Sequence, residues 1–559
     1  MVGATAAWAQ TRPDAGRLLE PQLTAPSLIP QGTPSLSLPE PRKAAPASAS
    51  VKIIPKGFLF AGNSIFPADA LLPLVADLVG QPTDLAGLTK AVNSVSAFYR
   101  SRGYLLTEAY LPEQALPATG GVITINIIEA RVGRVSVEFE GDAKRISKDF
   151  ARNMVSSQLK SGDAVTEYSL DKPVLLLRDL TGYDAGAIVE PGDKLGEANV
   201  RVAVRAKGPL VDGSVGIDNY GATAAGAVRA AANLNVNNLT GHGDVLALSG
   251  QLTDQAGSNL YRAGYSVSVG GSGTRIGVNA ARLNYALGKQ FKALGATGKA
   301  ELVGLSLAQP VLRGRNASMY ATVNVDQKKL VDETAFPALK SEREIVSLRA
   351  GLAGNFGDSL AGIQALNSFA FNATTGRLTL NPTDLAIDQA FGGLGTAGAF
   401  SKLNIDYQRA QFFGGASSVY FIAQAQLASK NLSSAEKMAL GGPNGVRGYP
   451  VGEGIGDSGA MFSLEYRYQL PPSLSIAAEP VSLLAFYDYG TVRFNQNGAV
   501  LPGASNSVNL GSLGLGAQVG RAGNFLLKTH LAWRTTPALP STGDADRSPR
   551  AWVSAQTWF

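Results

Sequence analysis

The chain contains no cysteine. Disulfides, zinc–thiolate centres and cysteine nucleophiles are therefore excluded, and a chain of this kind can cross an oxidising compartment unfolded without mispairing. Histidine is nearly absent as well. His242 and His530 are the two present, both expected at strand ends, which leaves no histidine cluster for metal or acid–base chemistry. No catalytic residue, metal site or cofactor is expected. Charged residues make up only 16%. No run of 18 apolar residues occurs; the best stretch, Leu71 to Val79, is short and contains Asp77, so a membrane-spanning helix is not expected. The net charge of +6 is spread along the chain, which is too diffuse for a nucleic-acid partner. No G-x-x-x-x-G-K phosphate loop is present, so ATP hydrolysis is not the energy source.

What is abundant is glycine, 64 residues, alongside 45% hydrophobic residues. A β-barrel that crosses a membrane hides its apolar residues in alternation and gives no long hydropathic run. The length of 559 residues calls for several domains. Ala7-Trp8-Ala9 before Gln10 resembles the small-x-small end of a secretory signal. Residues 1–50 thus read as a signal remnant, a short helix over Pro13–Glu20, and a Pro-rich linker expected to be extended and flexible.

Residues 51–130 change character. A strand from Val51 to Phe60 precedes helices over 67–79 and 84–102, then strands Leu105–Leu111 and Gly121–Glu129. Leu85, Leu88, Val92, Val95 and Tyr99 recur at helical spacing. Residues 131–208 repeat the β-α-α-β-β order, with a strand at 134–140, helices near 147–160 and 167–180, and strands at 184–190 and 198–206. Two tandem copies are expected.

From residue 209 to 559 the pattern is period two. Tyr261, Ala263, Tyr265 and Val267 alternate with Arg262, Gly264, Ser266 and Ser268; Phe462, Leu464 and Tyr466 alternate with Ser463, Glu465 and Arg467. Charges in mid-strand opposite an aromatic face fit a wet lumen and a lipid-facing exterior. About sixteen such segments of roughly ten residues can be counted. Among them are 317–328, 345–356 and 362–372; long connections follow 362–372, 417–428 and 524–533, at 373–399, 429–460 and 534–549. Short turns alternate with these long loops, as expected for periplasmic and outer ends respectively. The chain ends on Phe559, the terminal aromatic that barrel-assembly machinery reads.

Several motifs resemble the two-partner secretion transporters, the TpsB or haemolysin secretion/activation family. The first is Val446-Arg447-Gly448-Tyr449 after Gly441-Gly442-Pro443-Asn444-Gly445, in the sixth outer loop. The second is Phe486-Tyr487-Asp488-Tyr489-Gly490 on the thirteenth strand. Others are Asp218-Asn219-Tyr220-Gly221 on the first strand, Gly62-Asn63, Tyr99-Arg100 with Gly103-Tyr104, Leu111-Pro112 with Gln114, and Pro13-Asp14-Ala15-Gly16. The resemblance implies a mixed fold: a plug helix and linker (1–50), POTRA domains at 51–130 and 131–208, and a sixteen-stranded antiparallel barrel at 209–559 in the bacterial outer membrane. It implies a periplasmic receptor portion, an exoprotein partner with an N-terminal secretion domain, outer-membrane lipid around the barrel, and insertion by barrel-assembly machinery. It also implies that Arg447, with Val446, Gly448 and Tyr449, folds into the lumen and meets Asp488, flanked by Phe486 and Gly490. Alternation supports this, since Leu483, Ala485, Tyr487 and Tyr489 share the lipid face and Leu484, Phe486, Asp488 and Gly490 the luminal one. A contact worth roughly 1–3 kcal/mol in a wet lumen is expected.

Three other readings were weighed. Gly456-Asp457-Ser458-Gly459 resembles a serine-protease nucleophile loop, but Ala460-Met461 follow and neither histidine has the required context. A BamA-like insertase shares the barrel and inward loop but usually carries more POTRA repeats. A diffusion porin needs no polypeptide receptor.

Overall fold

The computed structural model describes residues 13–19, 35–37, 52–114, 120–141, 145–498, 505–542, 544 and 546–559. The expected signal remnant and most of the Pro-rich linker lie outside them. In the first domain, Asp84 caps the helix Leu85–Ser101 by accepting from the Gly87 backbone N–H at 2.8 Å. Its buried face is Leu88, Val92, Val95 and Tyr99, one side of a 3.6-residue period. Leu85 is the exception and is exposed. That face packs on a sheet in which Gly57–Ala61 runs parallel to Val122–Ile128, with Glu108–Tyr110 antiparallel on the far side.

Two expectations are corrected here. The helix over 67–79 is a short α-turn, Ala68–Leu71, followed by 3₁₀ turns at Leu72–Leu74 and Ala76–Leu78. Pro73 has no N–H to donate and its ring crowds the preceding turn. The strand expected from Val51 begins only at Gly57, after Pro55, which cannot donate to a ladder.

The second domain repeats the order with Arg131–Glu140, Lys148–Gln158, Glu167–Arg178, Tyr183–Pro191 and Glu197–Ala206. Thr166 and Ser169 form a reciprocal cap on its second helix. One strand comes from far away. Ser35–Ser37, within the stretch expected to be a flexible linker, pairs parallel with Gly186–Ile188 at the sheet's edge.

Sixteen strands, from Val211–Asp218 to Arg550–Trp558, close into an antiparallel barrel. Leu305, Leu464, Leu483, Tyr487 and Leu515 lie exposed on its outer face. The middle strands run further than alternation predicts: Ala317–Thr334, Leu339–Leu360 and Ile363–Leu380. Their outer ends carry charge on the outward face, with Lys340 bridging Glu342 at 2.6 Å and Glu333 at 3.8 Å. An apolar pattern stops where hydrocarbon stops, but ladder hydrogen bonding continues into water. His530 is also corrected: it lies mid-strand, in Phe525–Arg534, with its ring 5.8 Å from that of Phe486.

The second domain is bolted to the barrel's near rim. Arg313 holds Asp179 at 2.8 and 2.7 Å, and Arg315 holds the buried Asp171 at 2.5 and 2.9 Å.

Candidate functional site: the inward loop and the barrel wall

The segment between the strands Ser417–Ala428 and Ser458–Gln469 returns into the barrel, where several of its charges find partners. Glu436 is buried and meets Lys328 at 2.9 Å and Lys402 at 2.8 Å, both from the wall. Asp457, also buried, meets Lys437 at 2.8 Å and accepts from the Leu432 and Gln496 backbone N–H groups. Ser458 bonds to Gln496. The Gly-Asp-Ser-Gly stretch is thus the base of the loop, tied by its own neighbours.

At the tip the backbone turns tightly. Val446 N–H donates to the Leu440 carbonyl at 2.8 Å, and a Cβ on Gly445 would lie 2.0 Å from that same oxygen. This turn delivers Arg447 to Asp488. The guanidinium donates to both carboxylate oxygens, Nε to Oδ2 at 3.0 Å and Nη2 to Oδ1 at 2.7 Å, and the Arg447 backbone N–H adds a third bond at 3.1 Å. Nη1 donates to Glu465 at 2.8 Å and Nη2 to Ser463 at 3.0 Å. Asp488 also accepts from Ser463 and Ser512. The guanidinium lies 3.3 Å from the Phe486 ring centroid.

The expected wet contact is corrected: Arg447 is 5% exposed and Asp488 0%. A buried pair behaves differently from a hydrated one. Its net worth is small, but removing either partner leaves the other buried charge undercompensated, at a cost of up to about 3–5 kcal/mol.

All seven residues expected at the site converge. Val446 is buried among Leu440, Met461, Val492 and Leu510. Gly448 lies where a Cβ would be 2.8 Å from the Ser512 Cβ. Tyr449 is fully buried and bonds Thr536 Oγ1 at 2.8 Å, donating to the Ala538 carbonyl at 2.9 Å. At Gly490 a Cβ would be 2.8 Å from Leu440 Cδ2. Sequence reasoning missed Glu465, Ser463, Ser512 and Trp552 as partners. Glu465 and Ser463 carried a signal, polar groups on a luminal face; Ser512 and Trp552 carried none.

A second element sits inside the barrel. In the helix Ala15–Leu19, the Ala15 N–H donates to Asp332 at 2.8 Å. Asp14 lies 3.6 Å from Arg343, which also grips Asp332. Leu19 is fully buried in the same apolar cluster as the wall residues Leu302 and Phe400, and Gly16 packs on Ala435 at the loop base.

The family described as haemolysin secretion/activation protein ShlB/FhaC/HecB matches residues 196–515. The chain belongs to this family. Residues 53–130 match the ShlB-type POTRA domain. Over 529 residues the chain is 29% identical to the heme/hemopexin transporter protein HuxB of Haemophilus influenzae strain 86-028NP, covering 93% of this chain and 91% of that protein. It is 30% identical over 177 residues to the outer membrane transporter CdiB of Escherichia coli, 32% of this chain and 29% of that one. The structure of CdiB from Escherichia coli superposes with a TM-score of 0.70 at 19% identity, covering 98% and 96% of the two chains. BamA from Haemophilus ducreyi lacking POTRA domains 1–3 gives 0.50 at 13% identity, with 91% and 100% covered. This ShlB/FhaC/HecB-family chain is therefore an outer-membrane transporter for a secreted exoprotein partner, with its POTRA portion in the periplasm.

Proposed function

We propose that the chain recognises an unfolded exoprotein through the exoprotein's N-terminal secretion domain and passes it outward through the barrel without nucleotide. In this reading residues 51–130 and 131–208 are two POTRA receptor domains, residues 209–559 are the conduit, and residues 1–50 supply a plug helix and its linker. The helix Ala15–Leu19, buried between the wall and the loop base, blocks the lumen at rest and leaves when a passenger arrives. An exposed sheet edge can bind an extended strand through backbone hydrogen bonds with little sequence demand. Folding outside, worth about 5–15 kcal/mol for a domain, makes return improbable. Barrel-assembly machinery inserts the barrel into outer-membrane lipid. Likeness to a heme/hemopexin transporter along 93% of the chain favours a passenger concerned with haem.

The observation that carries this reading is the buried contact of Arg447 with Asp488, which holds a loop across the lumen where a passenger must go. Secretion assays test it. Lysine at 447 keeps the charge but loses the two-pronged grip, so Arg447→Lys and Asp488→Ala each reduce secretion while the barrel stays inserted. Normal secretion by both removes the role assigned to this contact.

A further inference from the structure

The barrel closes where its first strand meets its last, and that junction has the fewest paired positions. Val211–Asp218 and Arg550–Trp558 share five paired positions, from Ser554↔Asp218 to Trp558↔Ser214. The next shortest junctions have eight. The first strand stops at Asp218 because the chain turns away there. Tyr220 N–H bonds back to the Asp218 carboxylate at 2.9 Å, and Gly221 N–H bonds to the Ala227 carbonyl at 2.9 Å. The last strand continues past that point and needs partners for its backbone, because open backbone groups are costly at membrane depth.

Asn219 supplies them, its backbone N–H donating to the Val553 carbonyl at 3.2 Å and its side chain adding two further bonds. Its Nδ2 donates to the Ala551 carbonyl at 3.0 Å, and its Oδ1 accepts from Val553 N–H at 2.9 Å. A primary amide has both a donor and an acceptor, so asparagine can stand in for the missing strand residue where aspartate cannot. Asp218 is braced by two bonds from Arg229, at 2.7 and 3.0 Å.

Between the two clasped residues lies Trp552. Its indole N–H donates to the Arg447 carbonyl at 2.8 Å, it is 4% exposed, and the edge of the Tyr220 ring meets its ring at 5.8 Å. Tyr220 in turn reaches Ser554 on the same strand at 3.1 Å. The tip of the inward loop therefore touches the strand at the point where Asn219 holds it.

We propose that Asn219 is a clasp on the seam of the barrel and that Trp552 makes the clasp respond to the position of the inward loop. When Arg447 leaves the wall, Trp552 loses its acceptor, Tyr220 loses its packing partner, and the seam above Asp218 loosens. Asn219 and Trp552 are positioning residues.

Hydrogen exchange read by mass spectrometry on the purified full-length protein tests this at rest, with no passenger, so failure here leaves the transport reading standing. Asn219→Ala should accelerate exchange in the peptide covering 550–556 by tenfold or more. Trp552→Phe, which keeps a ring against Tyr220 but removes the donor, should accelerate it severalfold. Arg447→Lys, which does not touch Asn219, should do the same, with the hairpin of Ala317–Thr334 and Leu339–Leu360 unchanged in all three. Unchanged exchange in Asn219→Ala overturns the clasp. Acceleration in Asn219→Ala alone, with Trp552→Phe and Arg447→Lys at the wild-type rate, overturns the coupling.

Discussion

At the residue scale, the site depends on burial as much as on charge. Asp488 accepts from Arg447, Ser463 and Ser512 with no exposed surface, so Asp488→Ala leaves the buried guanidinium with Glu465 as its remaining carboxylate. Unfolding in denaturant from micelles should show a loss of about 3–5 kcal/mol, and replacing both partners with apolar residues should cost less. Gly448→Ala should weaken secretion without removing any charge, because its Cβ would meet the Ser512 Cβ at 2.8 Å and push the tip from the wall. A different carboxylate responds to acid in the domain spanning 131–208. Burial alone would raise the pKa of Asp184, but Arg205, Lys207 and Arg178 hold it below the ordinary aspartate range. A lowered folded-state pKa means that this stabilisation is fully present above about pH 4 and fades as pH falls further. The melting-temperature gap between wild type and Asp184→Asn should therefore be constant from pH 7 to about 5 and close only under stronger acid.

At the element scale, short pieces of chain are held by single close approaches. Helix Ala15–Leu19 fits because Gly16 lets it lie on Ala435; a Cβ there would be 2.7 Å from the Ala435 Cβ. Gly16→Leu should dislodge the helix and raise single-channel conductance in planar bilayers, as should deletion of residues 11–30. Conductance equal to wild type in both would remove the plug role. Arg313 and Arg315 form the ion-paired part of the second domain's docking, beside Ser157, Gln158 and Tyr183, which donate to the Gly271 and Gly241 carbonyls. Arg315→Ala leaves Asp171, 2% exposed, without its cation. Spin labels on cysteines introduced at Lys160 and Ser272, in an otherwise cysteine-free chain, should then report a broadened distance distribution. The helix Leu85–Ser101 was legible because its apolar period and its Asp84 cap agree. The helix over 67–79 misled because an apolar run outweighed the one residue that mattered, Pro73.

At the scale of the molecule, alternation and loop asymmetry led to the sixteen-stranded barrel with its α/β portion on the short-turn side. Protease added to intact cells should cut first in the outer connection between Leu380 and Gly398, where Phe391 is fully exposed. Cleavage within 51–208 from outside would refute the orientation.

Strand period, an approximate strand count and the inward direction of Asp488 were determined by sequence alone, because side chains alternate strictly along a strand and water and lipid select opposite partners. The pairing of Arg447 with Asp488 came instead as what the resemblance of two separate motifs to a known family implies. The dryness of that contact was not determined by sequence, nor were Glu465, Ser512 and Trp552 around it, nor the seat of Gly16 on Ala435, nor Asn219 on the final strand. These contacts join residues as far apart as Gly16 and Ala435, 419 positions along the chain. They exist only once the barrel has closed, because closure alone decides which strands become neighbours and which side chains share the lumen.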